Sequence, residues 1–209
     1  MATVTPTDIA NMALGLLTEA PIDSLDDDDR SARMLRLHYE TTRAAELLKR
    51  VWAFAILTAE VDGVETGDPA YPYSFTLPAN CLRPLPPTHD GDPAGVALDF
   101  RAEGDALLMR TGGARRIRYI GNLIDPGDWN ALFTEVFAAA LAIKIAHSVT
   151  GKASMIEVAQ GAYDRAVREA RRVNAIIKMG SAPSGLWEQA RAGVVYGSGY
   201  ARTGHGSGL

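Results

Sequence analysis

Several groups of side chains in this chain are of the types that chemistry requires. The run Asp26-Asp27-Asp28-Asp29 is dense enough in carboxylates to attract a cation. It lacks the Asp-x-Asp-x-Asp-Gly pattern and the distal Glu of a calcium loop. Placed before a long stretch without Gly or Pro, it instead suits a solvated helix start, where free N–H groups and the positive dipole end favour negative charge. Cys81, the only cysteine, would need a base beside it to act as a nucleophile. His38, His89, His147 and His205 are far apart, and none stands at metal-ligand spacing. His38 and His147 fall in predicted helices, where packed, hydrogen-bonded imidazoles are expected. Val149-Thr150-Gly151-Lys152-Ala153-Ser154 is like the end of a phosphate loop, but the leading Gly is absent and Ala153 stands where a Mg²⁺-binding hydroxyl belongs. There is no Gly-x-Ser-x-Gly elbow and no dinucleotide fingerprint. The expectation is a protein that is not an enzyme, with no catalytic residue, metal site or cofactor.

Two stretches are better suited to binding macromolecules. Arg165, Arg168 and Arg172, with Arg171 and Lys178 alongside, form a possible basic face on a helix. Glu157, Asp164 and Glu169 dilute it, and no aromatic residues are interleaved as a stacking platform. A solvated face laced with salt bridges is the plainer reading. The basic face leaves a DNA-binding or packaging-accessory role as the alternative. The last thirty residues are punctuated by glycine, yet Leu186, Trp187, Val194, Val195, Tyr196 and Tyr200 stand among them. A pure linker has no use for such side chains. This composition suits an arm with apolar anchors that orders on meeting a partner.

At 209 residues the chain can bury a real core. Its net charge of -4 argues against general affinity for nucleic acid or anionic membranes. A single cysteine allows no intrachain disulfide and fits a reducing cytosol. Met1 to Thr5 has neither the basic nor the apolar region of a signal peptide. The most apolar segment, Val136 to Ala146, is short for a membrane span and is bordered by Glu135 and interrupted by Lys144. The reading is a soluble, unexported protein with no membrane partner.

The elements follow from periodicity. After the Asp run comes a long helix in which Met34, His38, Thr41, Ala45, Leu48 and Trp52, spaced 4-3-4-3-4, are expected to face inward. Leu37, Ala44 and Val51 widen that face; Arg33, Arg36, Glu40, Arg43 and Arg50 take the other side. A shorter helix precedes it, Ile9 to Leu17, capped by Thr7-Asp8 and buried through Ile9, Met12, Ala13, Leu16 and Leu17. Pro21 to Leu25 connects the two, with Ile22 and Leu25 inward. Residues 56–121 change character. Strand-like pieces at 56–61, 73–77, 96–101, 106–110 and 115–120 alternate with turn signals, and Glu103-Gly104-Asp105 and Thr111-Gly112-Gly113 suit hairpins. A third helix from Trp129 to Val149 is apolar nearly all round, as at the buried centre of a bundle or an interface. Thr150-Gly151 stops it. A fourth, from Ser154 to about Met179, packs through Ala159, Ala162, Ala166, Ala170, Val173 and Ile177. The predicted fold is mainly α with α+β character. It is a four-helix bundle (1–55 and 122–179) with an inserted small antiparallel β subdomain (56–121) and an extended Gly-rich C-terminal arm (180–209). Trp52, Phe54, Trp129, Phe133 and Phe137 are its expected core anchors.

Taken in order, these stretches carry a resemblance. Ile9-Ala10-Asn11-Met12-Ala13-Leu14, then Ile22-Asp23-Ser24-Leu25-Asp26-Asp27-Asp28, then Ala32, Tyr39 and Trp52-Ala53-Phe54-Ala55 are joined by Tyr73-Ser74-Phe75-Thr76-Leu77-Pro78-Ala79-Asn80-Cys81-Leu82-Arg83 and by Phe133 with Ala138 to Ala146. The chain resembles the head-to-tail adaptor family of tailed bacteriophages, the tail tubular protein A type of short-tailed phages, over most of residues 7–179. Asn80 stands where that family commonly has Asp. The resemblance implies a structural virion protein of the neck and tail, assembled in the host cytoplasm and without catalysis. It implies a ring of subunits, twelve to match the portal, that seals and extends the DNA channel. Its implied partners are the portal, the nozzle or next tail component, its own copies, and passing DNA without sequence readout. The arm, through Leu186, Trp187, Val194, Val195, Tyr196 and Tyr200, is the implied portal-docking element, and the β subdomain would face the nozzle.

Overall fold

The computed structural model describes residues 4–89, 91 and 95–179, with the side chains of the last helix described as far as residue 173. Four helices, α1 (Pro6–Leu16), α2 (Arg30–Lys49), α3 (Ala131–Thr150) and α4 (Ser154–Met179), carry two small antiparallel sheets inserted between α2 and α3. The predicted arm, 180–209, lies outside the described residues, as does the side chain of Ile177.

The centre is α3. Phe133, Val136, Phe137, Leu141, Ala142, Ile145 and Ala146 are buried, and α1, α2 and α4 each pack on it. Its 20 residues and mean hydropathy of 1.5 match a membrane span in length and composition, so the apolar segment is longer than the sequence suggested. Here the other three helices cover it. Asn130 caps its start by accepting from the N–H groups of Leu132 and Phe133. Gly151 closes it at φ 69°, a left-handed position that costs glycine least.

Local signals shifted two helix boundaries. The cap of α1 is Thr5, not Thr7-Asp8: the Thr5 hydroxyl accepts from the Asp8 N–H while the Asp8 carboxylate accepts from the Thr5 N–H. Pro6 then occupies the first turn. The α2 helix stops at Lys49, and Ala53–Ala55 forms a separate 3₁₀ turn leading into the first strand.

The largest correction concerns which side of α2 is inward. Ala32, Leu35, Tyr39, Thr42, Arg43, Glu46 and Leu47 are buried, whereas Thr41 and Ala45 are exposed and Leu37 is 64% exposed. Leu35, Tyr39, Thr42 and Glu46 each lie one residue beyond the expected Met34, His38, Thr41 and Ala45, a rotation of about 100°, while Trp52, past the end of the helix, is buried as expected. Arg43 and Glu46 caused the error, because periodicity assigns charges outward. Both are buried here with partners. The Arg43 guanidinium donates to the Leu123 carbonyl and to Glu40. Met12 of α1 is likewise 40% exposed, and Leu14 is inward instead.

The insertion begins at β1 (Ile56–Asp62) and ends at β7 (Ala114–Gly121), which pair along their whole length from Ile56↔Ile120 to Asp62↔Ala114. With β4 (Cys81–Pro84) they form the sheet β1-β7-β4. The second sheet, β2-β3-β6-β5, uses β2 (Val64–Glu65), β3 (Tyr73–Thr76), β5 (Phe100–Glu103) and β6 (Ala106–Met109). Neither β2 nor β4 was expected: β2 has only two residues, and β4 ends on Pro84 in a proline-rich stretch that reads as irregular chain. The strand expected at 96–101 is displaced to Phe100–Glu103. Glu103 pairs with Ala106 across a tight turn in which Gly104 sits at φ 56°. Thr111-Gly112-Gly113 does not close a hairpin. It carries the chain from one sheet to the other, and Gly112 is needed because a Cβ there would meet the Tyr73 ring at 2.5 Å. Strand β7 joins two cores: Ile117 packs with Phe75, Leu107 and Met109, while Ile120 reaches the helical core.

The phase of α2 sets a direct comparison. Leu35→Ala should cost about 2–5 kcal/mol in urea unfolding, and Leu37→Ala should stay within about 0.5 kcal/mol. Equal costs would contradict the observed phase.

Candidate functional site

The residues singled out for chemistry are occupied by folding tasks. Asp29 caps α2 by accepting from the Ala32 N–H at 2.6 Å. Asp27 accepts from the Ser24 N–H at 2.9 Å, and Asp28 pairs with Arg33 at 2.8 Å. Asp26 lies 3.7 Å from Arg36. The Asp run is thus a capped, ion-paired helix start.

Cys81 opens β4 and is half-buried. Burial raises its thiol pKa, and a backbone hydrogen bond from Arg83 opposes that only in part. A reactive thiol needs the opposite shift. His147 is exposed in the last turn of α3, contrary to expectation, and His38 is half-buried beside a groove. His205 lies outside the described residues. The hydroxyl of Thr150, in the segment resembling a phosphate loop, donates to the Ala146 carbonyl and accepts from the Lys152 N–H, linking α3 to α4.

The expected core anchors meet in one aromatic cluster. Trp52, Phe54 and Trp129 lie 5.1–5.3 Å from Phe133, centroid to centroid. Phe137 stacks on Phe133 at 6.2 Å and receives Trp129 and Tyr39 edge-on at 5.5 and 5.0 Å. Such pairs contribute about 0.5–1.5 kcal/mol each beyond area burial. The cluster sits where the β insertion leaves and rejoins the bundle. The Trp52 indole donates to the Glu46 carbonyl at 3.1 Å. The Trp129 indole donates to the Leu123 carbonyl, which Arg43 also holds. Both roots of the insertion are therefore pinned to α2.

Periodicity alone missed the polar network on α2. The Glu46 carboxylate is 1% exposed; it accepts from Lys49 and from the Tyr163 hydroxyl at 3.0 Å, with Arg50 at 3.8 Å. Burial works to lower the Lys49 pKa, but hydrogen bonding and charge from Glu46 and Tyr163 outweigh it, so the value is raised. The available signal was position: Arg43 and Glu46 share the phase of Leu35, Tyr39 and Thr42.

Two open grooves flank the α3–α4 seam. The small residues of α4 bring it close to α3, with Ala159 and Ala170 buried. One groove, of about 640 Å³, lies between α1, α3 and α4. Met12, Leu16, Ala138 and Ala166 line it, and Glu135, Arg165 and Glu169 supply its charges. The other, of about 500 Å³, lies between α2, α3 and α4; Thr41, Ala45 and Ile143 line it, with Lys49 and Lys144 as exposed cations. Arg165, Arg168 and Arg172 are all exposed on α4, and Glu169 interrupts them. The candidate arm residues Leu186, Trp187, Val194, Val195, Tyr196 and Tyr200 lie outside the described residues. Among known proteins, no family model and no curated sequence matches the chain.

Two measurements check these assignments. Cys81 should react with iodoacetamide at pH 7 more slowly than free cysteine; faster reaction would indicate an activated thiol. Lys49 has a folded pKa above the ordinary 10.5, so its stabilising contribution is complete below that value and is lost as pH rises through the folded one. In urea melts, Lys49→Met should lack this component of the alkaline decline. An identical decline in both proteins would count against the network.

Proposed function

We propose that this chain is a structural subunit of a bacteriophage virion, forming a ring adaptor between portal and tail or nozzle that seals and extends the DNA channel. The observation that carries the reading concerns the residues of the resemblance, whose polar groups hold backbone in place. The Asn11 side chain donates to the Ile22 carbonyl and accepts from the Ile22 N–H, both at 2.9 Å, clamping the α1–α2 connection. Asn80 accepts from the Tyr119 hydroxyl at 3.1 Å, and its carbonyl accepts from the Asn122 N–H at 2.7 Å. A carbonyl oxygen is sufficient for the Tyr119 bond, so Asn serves where the family commonly has Asp. Side chains that hold backbone joints, rather than a reacting group, are what a scaffold requires.

The ring gives the arm its leverage. Each docking contact can be weak, because many subunits engage one portal together. The net acidic chain lines a DNA passage without gripping the DNA. Proposed partners are the portal, the next tail component and further copies of the chain, with no cofactor.

A chain ending after Met179 tests this reading. It should remain folded by circular dichroism yet bind a purified portal ring at least about a hundredfold more weakly than the full chain. Undiminished portal binding by the shortened chain would remove the arm from the account.

A further inference from the structure

The groove between α1, α3 and α4 and the chain that follows α4 fit one another in reach and in character. Met12, Leu16 and the small residues Gly15, Ala138, Ala162 and Ala166 line the groove, whose volume of about 640 Å³ is that of a binding site rather than a packing defect. Met12 stands 40% exposed there. A Cβ placed on Gly15 would meet nothing within 4 Å, so the fold leaves this space open. Helix α4 runs from the groove to Met179, and residues 180–209 follow. Ala166 lies thirteen residues before Met179, about 20 Å back along the helix. Trp187 lies eight residues after Met179, a chain length of about 26–29 Å. Gly180 and Pro183, between them, are residues that end a helix and turn the chain. Leu186 and Trp187 are thus the first large apolar residues able to reach back to the groove. The groove between α2, α3 and α4 is farther, at Gln160 and Tyr163 of α4, and holds the ion-paired Glu46 and Lys49. Charge also matches. Arg165 and Glu169 border the nearer groove, are exposed, and form no ion pair among the described residues. Glu188 and Arg191 flank the Trp187 position with the complementary signs.

We propose that the arm folds back within its own chain and seats Trp187 in this groove, as a latch that a partner must displace. The indole lies against Met12, Leu16 and the alanines, Glu188 faces Arg165, and Arg191 faces Glu169. An indole offers a large apolar face at little cost in side-chain freedom. The short tether holds it at millimolar effective concentration, so a contact too weak to form between separate molecules is populated within one. A closed latch withholds Trp187 from other partners, whose apparent affinity falls with the open fraction. The arm then opens where a partner of many identical sites engages several arms at once. This regulation of docking rests on the adaptor reading, whereas the latch itself belongs to the single chain and requires no portal.

The test is the rate of chymotrypsin cleavage after Trp187 in the full chain without portal, with the fragments read by mass. Cleavage follows the open fraction when opening is fast, so Gly15→Leu, which fills the groove where the fold leaves space, should be cut about tenfold faster than wild type. Thermal melts confirm that the variant is folded. A disulfide provides a readout independent of Gly15. In a Cys81→Ser background, Met12→Cys with Glu188→Cys should cross-link within one chain, and adding Trp187→Ser should slow the reaction about tenfold by releasing the arm from the groove. Equal cleavage of wild type and Gly15→Leu, a cross-linking rate indifferent to Trp187, or disulfides that join two chains would each overturn the proposal. A portal that fails to bind the full chain would count against the adaptor reading and leave the latch standing. A portal that binds a chain whose arm is cleaved equally in wild type and Gly15→Leu would remove the latch alone.

Discussion

The structure depends on one constraint: α3 is apolar on most of its sides, and those sides must be covered. A helix of this kind is packed at the centre of a bundle. The helices α1, α2 and α4 take positions around it, and the small residues of α4 let the seam close at Ala159 and Ala170. The aromatic cluster on Phe133 and Phe137 then fixes where the β insertion is rooted, because Trp52 precedes the insertion and Trp129 follows it. Leu123, whose carbonyl receives both Arg43 and Trp129, is the joint at which the returning chain is held.

The covering is incomplete beside the seam. Four helices around a central member leave grooves where neighbours fail to meet. Glu135, Arg165 and Glu169 line one, and Glu46, Lys49 and Lys144 the other. The residues with chemical potential are committed elsewhere: the Asp run to capping and ion pairs, Asn11 and Asn80 to backbone joints, and Cys81 to a half-buried strand where burial raises its thiol pKa.

Much of this was legible in the sequence, for definite physical reasons. The uninterrupted apolar run of α3, the Gly-Pro turns around 56–121 and the alanine period of α4 are strong local signals, and the β insertion begins at Ile56 and ends at Gly121 as the pattern indicated. The phase of α2 was illegible because the tertiary partners of Arg43 and Glu46 come from residues 80 and 117 positions away. Periodicity counts such residues as exposed until the partners are known. The separation of the strands into two sheets was hidden for a similar reason. Gly112 signals a turn in sequence, but its actual cause is the Tyr73 ring, which only the folded insertion brings near. The grooves were hidden as well, since they exist only between helices.

The central claim is that the chain is a ring-forming connector built on α3. Mass photometry of the full 22.4 kDa chain, alone and mixed with purified portal, tests it most directly. The account predicts a discrete portal complex heavier than the portal by the mass of twelve chains. A portal that gains no mass at saturating protein, or gains that of only one or two chains, would contradict it.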